Sequence, residues 1–131
     1  MTEQALTSHP PLSILVLEDD DTSRMAAQNI LRAVDFNVLC ARDFNEAIEF
    51  VETGANIDIA VVDVRMPPGT PDGFSFARAA RQKHPSLKVI FMSGRRSAQD
   101  FSRMQNDDAF LSKPFVPHQL LEFVTRAAWE R

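Results

Sequence analysis

A (βα)5 doubly wound sheet, five parallel strands with helices on both faces, is the α/β fold this sequence predicts, and three observations lead there. Five short apolar runs recur along the chain, at 12–17 (LSILVL), 36–41 (FNVLCA), 57–63 (IDIAVVD), 87–93 (LKVIFMS) and 108–112 (DAFLS). Several are nearly continuous in Val, Ile, Leu and Phe rather than alternating, as strands buried on both faces of a parallel sheet are. Stretches of helical period separate the runs, and that order implies right-handed crossovers covering both faces. With 131 residues, 44% hydrophobic and 24% charged, the chain suits a single core. One domain is expected over 12–131, behind a disordered arm over 1–11.

Taken in order, the run at 12–17 leads into a helix over 22–34, where Ala27, Ile30, Leu31 and Val34 recur at helical spacing. The second run is followed by a helix over 43–53. It opens on a capping-box-like DFNE, Asp43 to Glu46, and repeats Phe44, Ala47, Ile48 and Val51. The third run, the most apolar, ends in Asp63. Beyond it the loop PGTPDG carries Pro67, Pro68 and Pro71, which stiffen it, before a helix over 72–84. The fourth run ends in Ser93. The stretch 97–105 has only Ala98, Phe101 and Met104 on one face, so this helix is expected to be the most loosely held. Asn106-Asp107 precedes the fifth run, and Asn tolerates the left-handed conformation a turn there requires. A helix over 115–130 closes the fold; Phe123 and Trp129 are expected to pack it, an exposed Trp129 instead marking a dimer surface.

The bulk numbers exclude several function classes. A net charge of −4, with Arg95-Arg96 the only adjacent basic pair, argues against direct nucleic-acid binding. The single cysteine, Cys40, allows neither an internal disulfide nor a cysteine-built zinc site and reads as a buried, inert thiol. His9, His84 and His118 form no ligand pair at helical spacing. The segment MTEQALTSHPPLS lacks the basic and apolar regions of a signal peptide, and no run is long enough to span a bilayer. A soluble, cytoplasmic protein with no membrane partner is expected.

In doubly wound sheets, ligands sit beyond the carboxyl ends of the strands, near the point where strand order reverses. There the first run delivers Glu18, Asp19, Asp20 and Asp21, the third Asp63, the fourth Ser93 and the fifth Lys113 followed by Pro114. Four crowded carboxylates repel one another, and a hard divalent cation resolves that. Mg2+ (or Mn2+) takes one or two carboxylates plus waters and phosphate oxygens. Asp19 and Asp63 are candidate direct ligands, Glu18 holds a coordinated water, and a backbone carbonyl near Arg65 completes the protein's share. Asp20 and Asp21 read as a solvated turn capping the first helix. Asp63 is then placed as a nucleophile forming an aspartyl phosphate. Lys113 offers a compact positive charge to a phosphoryl oxygen, and Ser93 a hydroxyl to another.

These residues resemble the receiver domain of two-component response regulators, over almost the whole chain from about Leu12. ILVLEDD resembles the family's first strand with its acidic pair, Glu18-Asp19. VVDVRMP resembles the phosphoacceptor strand, FMSG the strand ending in the switch hydroxyl, and FLSKPF the Lys-Pro signature. The resemblance implies a flavodoxin-like receiver fold and a signalling domain, not an enzyme in the ordinary sense, that catalyses its own phosphorylation and dephosphorylation. It implies phosphorylation of Asp63 from a phosphohistidine on a histidine kinase or histidine phosphotransfer protein, with Mg2+ required. It implies a cis Lys113–Pro114 peptide and Phe110 at the aromatic switch position. When the Ser93 hydroxyl is drawn to the phosphoryl group, Phe110 is expected to turn inward. The face of the fourth helix, fifth strand and fifth helix then changes its contacts with a downstream protein or output domain, or with a second copy in a homodimer.

The sequence departs from the family pattern in places. The PGTPDG loop is about two residues longer than expected before Gly73 and shapes access to Asp63. Arg65 lies two residues past Asp63, where the family's side chain often tunes hydrolysis; it is expected to shield the phosphoryl group or to pair with Glu18. Gly94 leaves the opposite side open. The chain ends soon after the fifth helix, so the output is expected in another protein or a domain outside it. Two rivals remain: an aspartate-nucleophile phosphatase of the haloacid dehalogenase type, whose D-x-D motif is broken once in each frame here, and a binding module that keeps the fold without phosphorylation.

Overall fold

The computed structural model describes residues 11–129 except Arg96 and Asn106, and the side chain of Ala98 is not described. The expected N-terminal arm, apart from Pro11, and the turn residue Asn106 thus lie outside the described residues. Five parallel strands form one sheet, β1 (Ser13–Leu17), β2 (Asn37–Ala41), β3 (Ile59–Asp63), β4 (Lys88–Ser93) and β5 (Ala109–Ser112), in the order β2-β1-β3-β4-β5. The helices between them are α1 (Asp21–Arg32), α2 (Phe44–Glu52), α3 (Gly73–Lys83), α4 (Ala98–Ser102) and α5 (Pro117–Trp129). The doubly wound fold expected from the apolar runs is the one observed.

Alternate residues of each central strand enter different cores, which is why the runs are apolar throughout. Leu15, Leu17, Ala60, Val62, Val89 and Phe91 face one core, filled by Ala47 and Val51 of α2 and Phe74, Phe76, Ala77 and Ala80 of α3. Ile14, Val16, Ile59, Val61, Ile90 and Met92 face the other, filled by Ala27 and Leu31 of α1 and Leu120 and Val124 of α5. The edge strand β2 buries only Ala41 fully, and Cys40 on it is half-buried rather than enclosed. Burial nevertheless pushes its thiol pKa up.

The caps follow the sequence closely. Asp20 accepts from the Ser23 amide at 2.8 Å to open α1, and Asp43 accepts from the Glu46 amide at 2.8 Å to open α2. The reciprocal arm of the second cap is displaced by one residue, because Glu46 accepts from the Arg42 amide at 2.7 Å. α4 departs most from expectation, with five residues in place of the nine of 97–105. With so thin an apolar stripe, only the turn fixed by the Ser97–Asp100 capping box stays helical. Trp129 is 85% exposed and packs nothing of the last helix, unlike the partly buried Phe123.

Candidate functional site

The strand order reverses between β1 and β3, and the carboxyl ends of β1, β3, β4 and β5 meet beside that crevice. Glu18, one residue past β1, is 1% exposed, and its amide donates to the Ala41 carbonyl at 3.1 Å, continuing the β1–β2 ladder. Asp19 beside it is exposed. Asp63, the last residue of β3, is 5% exposed. Ligand oxygens of Glu18, Asp19 and Asp63 all lie within 4.8 Å of one another. Desolvation raises the pKa of Glu18 and of Asp19, and neighbouring carboxylates add to both shifts, Asp63 acting on Glu18 and Glu18 on Asp19. Three converging oxygen donors, with the charged forms of Glu18 and Asp19 disfavoured in this way, suit a hard divalent cation.

Lys113, just beyond β5, reaches back across the sheet ends. Its Nζ pairs with Glu18 Oε1 and stands 3.4 Å from Asp63 Oδ2. Burial disfavours the ammonium, but the hydrogen bond to Glu18 and the charges of Asp63 and Glu18 outweigh it and raise the Lys113 pKa. The Lys113 amide donates to the Ser93 carbonyl at 2.9 Å, so the ends of β4 and β5 are tied together, and the Lys113–Pro114 peptide is cis. Ser93 is buried, and its Oγ accepts from the Arg95 amide at 3.1 Å. Gly94 is exposed, and a Cβ added there would meet nothing within 4 Å. Phe110 on β5 already sits inward, 7% exposed with its ring 5.9 Å from that of Phe101, so the inward turn expected of it is not a change this structure leaves to be made.

The loop after β3 is shaped from both ends. Thr70 folds back on the Pro67 carbonyl through its Oγ1 at 2.6 Å, beside Gly69 at φ +84°. Gly73 opens α3 so close to β3 that an added Cβ would lie 2.4 Å from the Asp63 carbonyl. Any larger residue would push the helix away from the strand that carries Asp63.

Arg65 corrects the sequence reading. It does not pair with Glu18, whose carboxylate is engaged by Lys113; its guanidinium instead grips Asp100 of α4, Nη2 to Oδ2 at 2.8 Å and Nη1 to Oδ1 at 3.3 Å. Only its main chain meets the phosphoacceptor candidate, the amide donating to Asp63 Oδ1 at 3.2 Å. Asp100 was not among the residues singled out from sequence, although Ser97-x-x-Asp100 carries a capping spacing. Arg24 was missed as well. It donates to the Glu18 carbonyl at 3.1 Å and pairs with Asp21 at 2.5 Å, holding the start of α1 against the acidic turn.

Residues 14–125 match the family model described as response regulator receiver domain. Sensor kinase CckA of Brucella abortus is 38% identical over 90% of this chain, which spans 13% of that protein. Response regulator protein GraR of Staphylococcus epidermidis is 33% identical over 84% of the chain, which spans about half (48%) of its length. A receiver protein structure from Sinorhizobium medicae superposes with a TM-score of 0.83 at 30% identity, covering 89% of this chain and 94% of that one. A CheY-like receiver domain from Methanospirillum hungatei gives 0.84 at 24% identity, covering 92% and 95%, which speaks to the fold alone.

Proposed function

Since the chain belongs to the response regulator receiver domain family of two-component signalling, we propose that it accepts a phosphoryl group onto Asp63 from a phosphohistidine and changes a protein contact in response. The observation that carries this reading is the buried Asp63 carboxylate at a strand end, 3.4 Å from the Lys113 ammonium and grouped with Glu18 and Asp19. An Asp63 oxygen attacks phosphorus, the phosphorus–nitrogen bond breaks, and the imidazole nitrogen leaves with the electron pair. Little further covalent chemistry is needed from the protein, whose work is positioning and charge neutralisation. Asp19 and Asp63, with Glu18 and the Arg65 carbonyl, would hold Mg2+ or Mn2+. The ion would neutralise the carboxylates and the phosphoryl oxygens. Lys113 turns from Glu18 to a phosphoryl oxygen, and the buried Ser93 hydroxyl offers itself to another.

The donor on this reading is a histidine kinase or a histidine phosphotransfer protein in the cytoplasm, and the chain catalyses both gain and loss of its own phosphoryl group. The α4–β5–α5 face, with Phe110 at its centre, carries the change to a downstream protein, an output domain or a second copy of the chain. Arg65 and Gly94, flanking the phosphoryl position, set how long the group survives.

Intact-mass spectrometry after incubation with acetyl phosphate or phosphoramidate, with and without Mg2+, tests the chemistry. The expected result is a gain of one phosphoryl group only with Mg2+, lost in a folded Asp63→Asn variant. Stable labelling retained in that variant overturns the choice of nucleophile. Labelling neither from small donors nor from any phosphorylated histidine kinase or phosphotransfer protein overturns the phosphoacceptor reading.

A further inference from the structure

On the side of Asp63 away from the acidic cluster, one residue touches two parts of the machinery. The Arg65 amide donates to Asp63, while its guanidinium makes a two-point contact with Asp100. Asp100 is 4% exposed, so its carboxylate depends on its partners. Those partners are Arg65 and the start of α4, where the Ser97 amide donates to Asp100 Oδ2 at 3.1 Å and the Asp100 amide to Ser97 Oγ at 3.2 Å. The Arg65 side chain is 45% exposed and borders an open recess of about 400 Å³ with Arg95 and Arg103, so it has room to move.

We propose that Asp100 is a positioning residue acting through Arg65: it holds the guanidinium on α4 while Asp63 is unmodified, and competes for it with a phosphoryl group on Asp63. The inference rests on the phosphoacceptor reading of Asp63. A guanidinium fork suits phosphate as well as carboxylate, and a phosphoryl group carries more charge than the carboxylate it replaces as partner. Two consequences follow from the competition. Phosphorylation frees α4 of its tie to the β3–α3 loop. The pull of Asp100 on Arg65 also keeps the guanidinium partly off the phosphoryl group, leaving it open to hydrolysis. In that reaction water attacks phosphorus, the bond to the Asp63 oxygen breaks, the carboxylate leaves with the electron pair, and inorganic phosphate and a proton depart.

The test compares the half-life of the phosphorylated protein, by intact mass after donor removal, in wild type, Asp100→Asn, Arg65→Ala and the double variant. Asparagine keeps an acceptor for the Ser97 amide but gives up the charge that holds Arg65. Asp100→Asn is expected to lengthen the half-life about fivefold, the factor equivalent to a coupling of ~1 kcal/mol. The double variant is expected to match Arg65→Ala. An unchanged half-life in Asp100→Asn, or a lengthening that persists without Arg65, overturns the proposal. A second readout is amide exchange in α4. Protection is expected to fall on phosphorylation of wild type, and in Arg65→Ala to be low beforehand and unresponsive; an α4 indifferent to Arg65 also overturns it. Wild type that never labels removes the reading of Asp63 and this inference together. Wild type that labels normally beside an unaffected Asp100→Asn removes only the role of Asp100.

Discussion

α5 and α4 flank the same strand, β5, yet the structure holds them by different physics. α5 runs for 13 residues and buries Leu120 and Val124 completely in the core shared with α1. α4 has five residues; among its described side chains the buried one is Asp100, and Phe101 is 51% exposed. Beside the Phe101–Phe110 ring contact and the partly buried Met104, what fixes this segment is charge. Asp100 meets Arg65, Arg103 meets Asp72 at 2.6 Å while lying over the Phe74 ring, and Asp108 beyond it meets Arg81 of α3. Apolar burial scales with area and has no alternative partner inside the protein. An ion pair at a partly open position can be exchanged for another charge. The helix next to a candidate phosphorylation site is thus the one attached by exchangeable contacts.

Ion pairs in this region are not all weak, and Arg81–Asp108 sets the upper limit. The Asp108 side chain is fully buried and that of Arg81 nearly so, unlike the half-exposed Arg65. Arg81→Ala leaves a buried carboxylate without its cation and is expected to cost about 3–5 kcal/mol in urea denaturation. A loss below about 1 kcal/mol would mean that Asp108 reaches water in solution. One step smaller is the direct contrast between the helices. Leu120→Ala in α5 is expected to cost about 2–4 kcal/mol through lost burial and a cavity, whereas the same truncation of the half-exposed Phe101 costs about 1 kcal/mol or less. Equal losses would show α4 to be as firmly packed as α5.

This difference in physics also decides what was legible in the sequence. All five strands lie where the apolar runs put them, because burial on both faces leaves an unbroken signal. The residues at or just past their ends, Glu18, Asp19, Asp63, Ser93 and Lys113, come together because the topology allows little else. The caps at Asp20 and Asp43 were readable from local spacing. The partners of Arg65, Arg81 and Arg103 were not. They lie 35, 27 and 31 residues away in the chain, and charged residues carry no period that could indicate a mate. From sequence, Arg65 is accordingly expected either to shield the phosphoryl group or to pair with Glu18. In the structure Lys113 occupies Glu18, and Asp100 lies on the other side of Asp63. The shortness of α4 has the same origin, since its apolar stripe predicts a helix but not how few of its turns survive.

The smallest expected effect bears on whether the ties of α4 respond to solution conditions at all. Asp72 caps α3, accepting from the Ser75 amide at 2.9 Å, and pairs with Arg103 just past α4. Burial alone would raise the Asp72 pKa, but the hydrogen bonds from Arg103 and from Ser75 outweigh it and lower the pKa below the usual aspartate value. A folded-state pKa depressed in this way stabilises the fold above the unfolded value of about 3.9, and the contribution is lost as pH falls through the lower folded value. Because both side chains are about one-third exposed (36% and 32%), solvent screening keeps the pair at about 1 kcal/mol or less. Arg103→Gln is therefore expected to differ from wild type by that amount near neutral pH and by progressively less below about pH 4, with added salt narrowing the gap at neutral pH. Urea denaturation at a series of pH values measures it. A gap that stays constant down to the lowest pH would assign the contribution of Arg103 to its contact with the Phe74 ring, an attachment that protonation of Asp72 does not release. A gap that closes would make this tie, like the one through Asp100, a contact that a change of charge can undo.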